Sequence, residues 1–283
     1  MSSENEFHEE KREEIAAQVD PWFKGGPIWK RAAFKVGIIW LLMTIVGVAI
    51  GLFVPDHILP RMMSPQGKDA RDTIVFFTVL AAPVAALVCS IGAYSLLAWR
   101  KKANGDQPPV DGPPLRGNPL ASSLWVGGSV VLVVILLIWG MGFLASETAP
   151  QSNVLQVNVT GQQWLWTFSY PGTGPGTGVE SNKLILPEGR QVQFNITGLD
   201  VTHGFWPVEF GQQVDANPGF TTRFVVKTEK LGDFDVRCSQ LCGLYHAYMY
   251  AHGKVVTTSD FTTWLQDNGA TAAKATAYAA SGN

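Results

Sequence analysis

Charge is missing from this sequence for long stretches. Val36–Val54, Thr73–Trp99 and Gly117–Ser146 contain no Asp, Glu, Lys or Arg at all, over 19, 27 and 30 residues. A helix crossing a hydrocarbon core about 30 Å thick needs roughly 20 apolar residues, so each run is long enough to span, and three of them within one short region argue against buried core helices. Cysteine is scarce as well: three in 283 residues exclude a disulfide framework. No Cys-x-x-Cys-His haem-attachment site occurs. A basic excess is also absent. From Glu147 onward there are 11 acidic and 8 basic residues, a net charge of −3, which is not the footprint of a nucleic-acid-binding domain.

The first apolar run begins after 35 residues, and no Ala-x-Ala-like site follows it in "GLFVPDHILP". It reads as a retained span, not a signal peptide. Lys24, Lys30, Arg31 and Lys35 crowd its approach, and Arg100, Lys101, Lys102 and Arg116 lie between the second and third runs. Loop 55–72 has only Arg61, Lys68 and Arg71. Positive residues collect on the cytoplasmic side, so the amino terminus is expected inside, loop 55–72 outside, and everything after about residue 147 outside.

The polar start, with its "HEEKREE" charge run, and the Pro/Gly-rich connector 105–119 frame the apolar segments. After Glu147 the texture changes. "VLQVNVTGQQWLWTFSY", "KLILPEGRQVQFNITGLD", "FTTRFVVKTE", "GDFDVRCSQ" and "GKVVTT" alternate apolar and polar residues between Gly/Pro-rich turns, which predicts a β-sandwich. The organisation expected is therefore a cytoplasmic segment 1–33 and a membrane anchor 34–147 with spans near 36–54, 73–99 and 120–146. A β-domain over 152–266 and a flexible tail 267–283 without an evident packing face follow.

Chemistry concentrates in "RCSQLCGLYHAYMY", residues 237–250. It holds Cys238, Cys242, His246 and Met249, and His203 lies 35 residues before Cys238 in "DVTHGFW". A disulfide would suit an oxidising exterior but uses only the two cysteines. A Cys₂His₂ zinc site gives Met249 no role. Thiolate, imidazole and thioether together select copper, yet a mononuclear blue-copper site takes only one thiolate. Two coppers sharing both sulfurs, each with one histidine, would use every residue. One electron spread over such a pair distributes the geometric change on reduction, which suits electron transfer.

Cys238-x-x-x-Cys242-Gly-x-x-His246-x-x-Met249 with His203 upstream resembles the dinuclear copper (CuA) motif of cytochrome c oxidase subunit II. "GQQWLWTFSY", "DVTHGFW" and "VDANPG" resemble that family too, and the likeness covers roughly the last two spans onward. The resemblance implies a membrane-anchored all-β protein: three transmembrane helices followed by an extracytoplasmic cupredoxin-like β-sandwich. It implies that Cys238 and Cys242 bridge the coppers, that His203 and His246 are terminal ligands, and that Met249 and the backbone carbonyl of Gln240 are weak ones. It gives Trp164 the role of taking electrons from a cytochrome c-type donor, soluble or membrane-bound. Subunit I would be the principal partner, beside other oxidase subunits, and would hold the haems and CuB used to reduce oxygen with proton translocation. The membrane would be that of a bacterial cell rather than the inner mitochondrial membrane. Asp200 and Asp215 match acidic family positions near the site, and as lone carboxylates they equally suit turns.

The sequence also departs from the family. Gln240 stands where a Glu often binds magnesium; a neutral amide is a poorer ligand for a hard cation, which puts that magnesium in doubt. Ser122 stands where a Glu usually precedes Trp125, so no proton-path role carries over. The family commonly has two spans, not three. The stretch after "WLWTFSY" is Gly/Pro/Thr-rich where the family is acidic, which weakens the case for a strongly basic donor. Trp164, Trp166, Phe168 and Tyr170 alternate as if along one strand, and core packing explains most of them. Cys89 reads as an inert buried thiol, His252 as a polar residue near the site, and His8 and His57 as exposed. Two other functions fit the motif less fully: the copper subunit of a nitric-oxide reductase, and a membrane-tethered copper chaperone, whose histidine would lie far downstream of its cysteines.

Overall fold

The computed structural model describes residues 32–98, 119–147, 153–176 and 178–281. The charge run near the amino terminus, nearly all of the connector 105–119, and the basic residues Lys24, Lys30, Arg31, Arg100, Lys101, Lys102 and Arg116 lie outside the described residues. The chain divides into two units, one including residues up to Pro55 and Val75–Gly142, the other Asp56–Ile74 and Phe143–Asn283.

Among the described residues, the first unit is built from three long apolar helices: α1 (Ala32–Phe53), the part of α3 (Pro65–Ala98) beyond Ile74, and α4 (Pro119–Glu147) as far as Gly142. A short helix α2 (Pro55–Ile58) follows α1. Three candidate spans, Ala32–Ile58, Pro65–Leu97 and Pro119–Ala145, are long and apolar enough to cross a membrane, each with a mean hydropathy of 2.5. Where every neighbour is apolar, helices associate by close packing at small residues. A Cβ on Gly47 would lie 3.1 Å from that of Ala82, and one on Gly51 would lie 3.1 Å from Thr78 and Val79, so α1 and α3 touch through these glycines. Pro83 lies inside α3, and its carbonyl accepts a 2.8 Å hydrogen bond from Trp40 Nε1. Phe76 and Phe77 pack against Trp139 of α4. Cys89 is exposed on α3, not buried as expected.

The second unit is a sandwich of two five-stranded sheets. One has the order β3 (Val179–Ser181), β2 (Leu165–Tyr170), β1 (Leu155–Gln162), β5 (Gln191–Gly198), β8 (Thr222–Lys227). The other has β4 (Leu184–Pro187), β10 (Tyr250–Val256), β9 (Gly232–Cys238), β6 (His203–Pro207), β7 (Val214–Ala216). β1 runs parallel to β5, and β10 parallel to β4, while the remaining pairs are antiparallel. Strict alternation puts Leu155, Val157 and Val159 of β1 and Val192, Phe194 and Ile196 of β5 inside, where they meet Phe205 and Val236 of the facing sheet. The architecture expected from the sequence, three apolar helices followed by a β-sandwich, is the one observed.

Three local expectations change. Trp166, Phe168 and Tyr170 do point inward from β2, but Trp164 lies in the turn between β1 and β2, because those strands pair right up to Gln162 opposite Leu165. The segment after α2, read from the sequence as loop 55–72, packs on the sandwich. Met63 is buried in the sandwich core, its N–H donates to the Glu209 carbonyl at 2.8 Å, and its own carbonyl accepts from Glu229 N–H at 3.0 Å. Gly67 and Gly211 permit this approach, since a Cβ on Gly211 would come within 2.8 Å of the Gly67 backbone. The carboxyl-terminal stretch also packs. After α5 (Thr258–Asp267), Thr271 caps α6 (Ala272–Ala279), which buries Ala275 and Ala279. Tyr278 joins the cluster of Tyr170 and Phe261, and its hydroxyl donates to the Gln156 carbonyl. Alanines supply a small packing face that a pattern search for large apolar residues overlooks.

Candidate metal centre

β6 and β9 bring the distant residues together. Phe205 of β6 stands opposite Cys238 of β9, so continuing the antiparallel ladder places His203 level with the start of the loop that follows β9. Ser239 N–H donates to the Gly204 carbonyl at 3.0 Å, fastening that loop to β6. Gly204 is needed there, because a Cβ would meet Ser239 Oγ at 2.2 Å. The loop then folds back on itself. Gly243 has φ +123°, His246 N–H donates to the Gly243 carbonyl at 3.2 Å, and Cys238 N–H donates to the Met249 carbonyl at 3.1 Å.

The result gathers soft donor atoms. Cys238 Sγ lies 3.7 Å from Cys242 Sγ and 3.2 Å from the Gln240 carbonyl. Cys242 Sγ is 3.6 Å from His246 Nδ1 and 3.7 Å from Met249 Sδ. Ligand atoms of His203, Cys238 and Cys242 all lie within 4.8 Å of one another. The sulfurs are not bonded, and their separation far exceeds the roughly 2.05 Å of a disulfide. It matches the edge, about 3.8 Å, that two thiolates subtend on one tetrahedral metal at bonds of about 2.3 Å. His203, Cys238, Cys242 and Met249 are buried, Met249 almost completely, while His246 is half-buried and Gln240 exposed.

His203 gives the most direct sign of a ligand. Its ring is fully buried, Nε2 lies 2.8 Å from Asp200 Oδ1, and Nδ1 is buried without a hydrogen-bond partner. An ionised Asp200 accepts the Nε2–H, leaving Nδ1 with a bare lone pair aimed among the sulfurs; this is how a neighbouring carboxylate fixes the tautomer of a metal-binding histidine. Asp200 also accepts from Gln163 N–H at 2.8 Å and from Val201 N–H at 2.7 Å. Partial burial works against ionisation, but the bonds from Gln163, His203 and Val201 outweigh it and lower its carboxyl from 3.8 to about 2. Burial, and then the adjacent Cys238 thiol, push the Cys242 thiol up to about 12. Two thiolates in contact therefore require a cation to hold them, and metal uptake displaces protons. The donor set, two thiols, two imidazoles, a thioether and a carbonyl, fits copper better than harder ions.

Two residues that the motif search passed over hold the centre together. Gln163 Nε2 donates to the Cys242 carbonyl at 2.7 Å while its N–H holds Asp200, so one residue ties both ligand-bearing loops to the β1–β2 turn. Gly161 makes room for the histidine, since a Cβ there would meet the His203 ring and Trp166 at 3.0 Å. Both lie within "GQQWLW", where the tryptophans attract notice first. Trp164 packs edge-on against Tyr245 of the ligand loop, ring centroids 4.8 Å apart. Asp215 lies exposed on β7 and is not among the carboxylates bonded to the centre. His252 is exposed, 3.6 Å from Asp235 Oδ1, on the wall of a cavity of about 440 Å³ that Cys238, His246 and Met249 also line.

Comparison with known proteins finds one family repeatedly. Residues 177–256 match the family described as cytochrome c oxidase subunit II, periplasmic domain. The chain is 43% identical over 119 residues to cytochrome c oxidase subunit 2 of Thermostichus vulcanus, a match covering 42% of this chain and 35% of that protein. It is 25% identical over 245 residues to cytochrome c oxidase subunit 2 of Alkalihalophilus pseudofirmus, covering 84% of this chain and 69% of that one. Among solved structures, it is similar to the periplasmic domain of subunit II of the Bradyrhizobium japonicum cytochrome oxidase. That match has 30% identity and a TM-score of 0.39, and covers 43% of this chain and 96% of that one.

Proposed function

We infer, for a chain that belongs to the cytochrome c oxidase subunit II family, that it is the subunit through which electrons reach a haem–copper oxidase. The chain is part of an oxidoreductase complex, and its own share is electron transfer, not oxygen chemistry. His203, Cys238, Cys242, His246, Met249 and the Gln240 carbonyl would hold a pair of coppers. When bound, that pair supplies a one-electron redox couple whose charge is shared over two metals and two sulfurs.

The protein's contribution is rigidity. Asp200 holds the His203 ring in one tautomer and orientation, and Gln163 pins the Cys242 carbonyl. The loop hydrogen bonds fix Cys238 against Met249. Ligands that cannot move between oxidation states keep the reorganisation on electron transfer small. Burial of Cys242, Met249 and His203 limits the access of water to the sulfurs. Trp164, packed on the ligand loop through Tyr245, would receive electrons from a cytochrome c-type donor, and subunit I would take them onward for oxygen reduction coupled to proton translocation.

The topology follows the same reading. The segment after α2 packs on the sandwich within one unit, so both belong on one side of a membrane, as three crossings require. The basic residues flanking the first and third spans favour a cytoplasmic amino terminus and an extracytoplasmic sandwich, in a bacterial cell membrane.

The observation that carries the proposal is the buried, unpartnered His203 Nδ1 beside two free thiols in contact. Its test is paramagnetic resonance on the copper-loaded chain. One electron shared by two equivalent coppers gives a seven-line pattern. Cys238→Ser abolishes it, whereas Met249→Leu keeps both coppers and shifts the potential. A four-line signal with one copper per chain, or a shared-valence signal surviving Cys238→Ser, overturns the dinuclear assignment.

A further inference from the structure

We propose that the electron-donating partner docks here through an apolar face carrying almost no charge, without electrostatic steering. The inference rests on the electron-transfer reading above and concerns the surface that surrounds its point of access. Two segments build that surface, the β1–β2 turn carrying Trp164 and Leu165, and the ligand loop carrying Leu241, Leu244, Tyr245 and Tyr248. They are joined by the Trp164–Tyr245 ring contact and by the Gln163–Cys242 hydrogen bond, and within the loop Tyr245 packs on Tyr248 at 6.5 Å. Leu241, Leu244 and Tyr248 are 79%, 83% and 73% exposed. Large apolar side chains so open, gathered around a redox centre, mark a contact surface, not chance exposure.

Its charge is equally telling. No Asp, Glu, Lys or Arg occurs from Leu155 to Val179, nor from Ser239 to Gly253. Asp200, whose carboxylate accepts from Gln163 N–H, Val201 N–H and the His203 ring, brings a single negative charge to the turn. Asp235 and Arg237, on β9 just before the loop, pair with each other at 3.1 Å and line the cavity beside His252. A strongly basic donor would find one carboxylate and no acidic cluster beside the aromatic and leucine surface. The occupant that fits is a redox protein whose own contact face, around its cofactor edge, is apolar and near neutral. Such an encounter buries a small area, below about 1,200 Å². It associates at rates on the order of 10⁵–10⁶ M⁻¹ s⁻¹ that salt hardly alters, unlike steered pairs.

The test is stopped-flow reduction of the purified, copper-loaded oxidase complex by two probes, a strongly basic cytochrome c and the same cytochrome with its lysines acetylated. For the wild type, the second-order rate with the acetylated probe stays within about threefold between about 0.02 and about 0.5 M salt. Leu244→Glu and Tyr248→Glu each lower that rate about tenfold, and they give the basic probe a salt dependence that the wild type lacks. A rate for the wild type and basic probe that falls more than about tenfold with salt overturns the proposal. Unchanged rates in both variants overturn it too. Loss of complex assembly in the variants would show that another subunit, and not the donor, covers this surface. A small-molecule reductant, hexaammineruthenium(II), separates the two levels. If it reduces no copper signal in the wild type, the electron-transfer reading itself fails. If it reduces wild type and variants alike, any change seen with the proteins belongs to the docking surface.

Discussion

Replacing Tyr170 with Phe would separate hydrogen bonding from packing in the scaffold that carries the centre. The ring is fully buried, packed against Phe261, Trp264 and Tyr278, and Phe keeps those contacts. What is lost is the hydroxyl, which donates to the Ile185 carbonyl and accepts Ile185 N–H, each at 2.9 Å. β4 is an edge strand with β10 on its other side, so this hydroxyl links the free edge of one sheet to β2 of the other. Two net hydrogen bonds contribute about 1 kcal/mol each, and partial desolvation of the half-buried Ile185 groups raises the total to about 2–3 kcal/mol. At about 2–4 °C per kcal/mol, the variant melts about 4–12 °C lower.

The pH dependence supplies a second readout. Burial holds the Tyr170 phenol well above its ordinary value of 10.0. Below about pH 10 the folded and unfolded states both keep the proton, and the hydroxyl contributes in full. As the pH rises past that value the unfolded chain ionises and the folded one does not, so wild-type stability falls by up to about 1.4 kcal/mol per pH unit on this account. Phe has no such proton, and the gap between wild type and variant narrows accordingly. Urea unfolding of the full chain in detergent, followed by tryptophan fluorescence at about pH 8 and about pH 11, measures it. A gap that stays constant or widens between those conditions refutes the reasoning.

Asp200→Asn leaves an amide that cannot accept from Gln163, Val201 and His203 together, so copper should be captured about tenfold faster by a competing chelator, equivalent to about 1.4 kcal/mol. The wild-type advantage is present above the ordinary carboxyl value of 3.8 and disappears as pH falls toward about 2; an advantage that persists at the acid end contradicts the assignment. Ending the chain after Gly269 removes the cover that Ala275, Tyr278 and Ala279 provide for Tyr170 and Phe261, and should cost about 2–3 kcal/mol of sandwich stability. An unchanged urea midpoint would mean that α6 contributes nothing to the core.

How much of this was legible depended on how local each feature is. Cys238, Cys242, His246 and Met249 lie within twelve residues, so their spacing declared a soft-metal loop before any fold was known. The strand pattern around "VLQVNVTG" was readable because a half-buried strand must alternate. Gln163 and Gly161 were not readable as parts of the centre, because their roles come from what lies across the sandwich, at Cys242, Asp200 and His203. The packed tail escaped for a different reason: alanines bury little area each, and only a neighbouring aromatic cluster makes their face complementary.

By itself the sequence determined the three charge-free runs and the alternating strands, because transfer of apolar surface from water depends on side-chain type and period alone. It also determined the donor chemistry of the ligand loop, since thiol, imidazole and thioether keep their softness in any fold. Tertiary structure decided which nitrogen of His203 is left bare, which backbone carbonyl Gln163 holds, and where Trp164 leaves its strand for a turn. Those outcomes depend on the register between strands far apart in the chain. Register is fixed by the packing of the whole sandwich, and no short stretch of residues contains it.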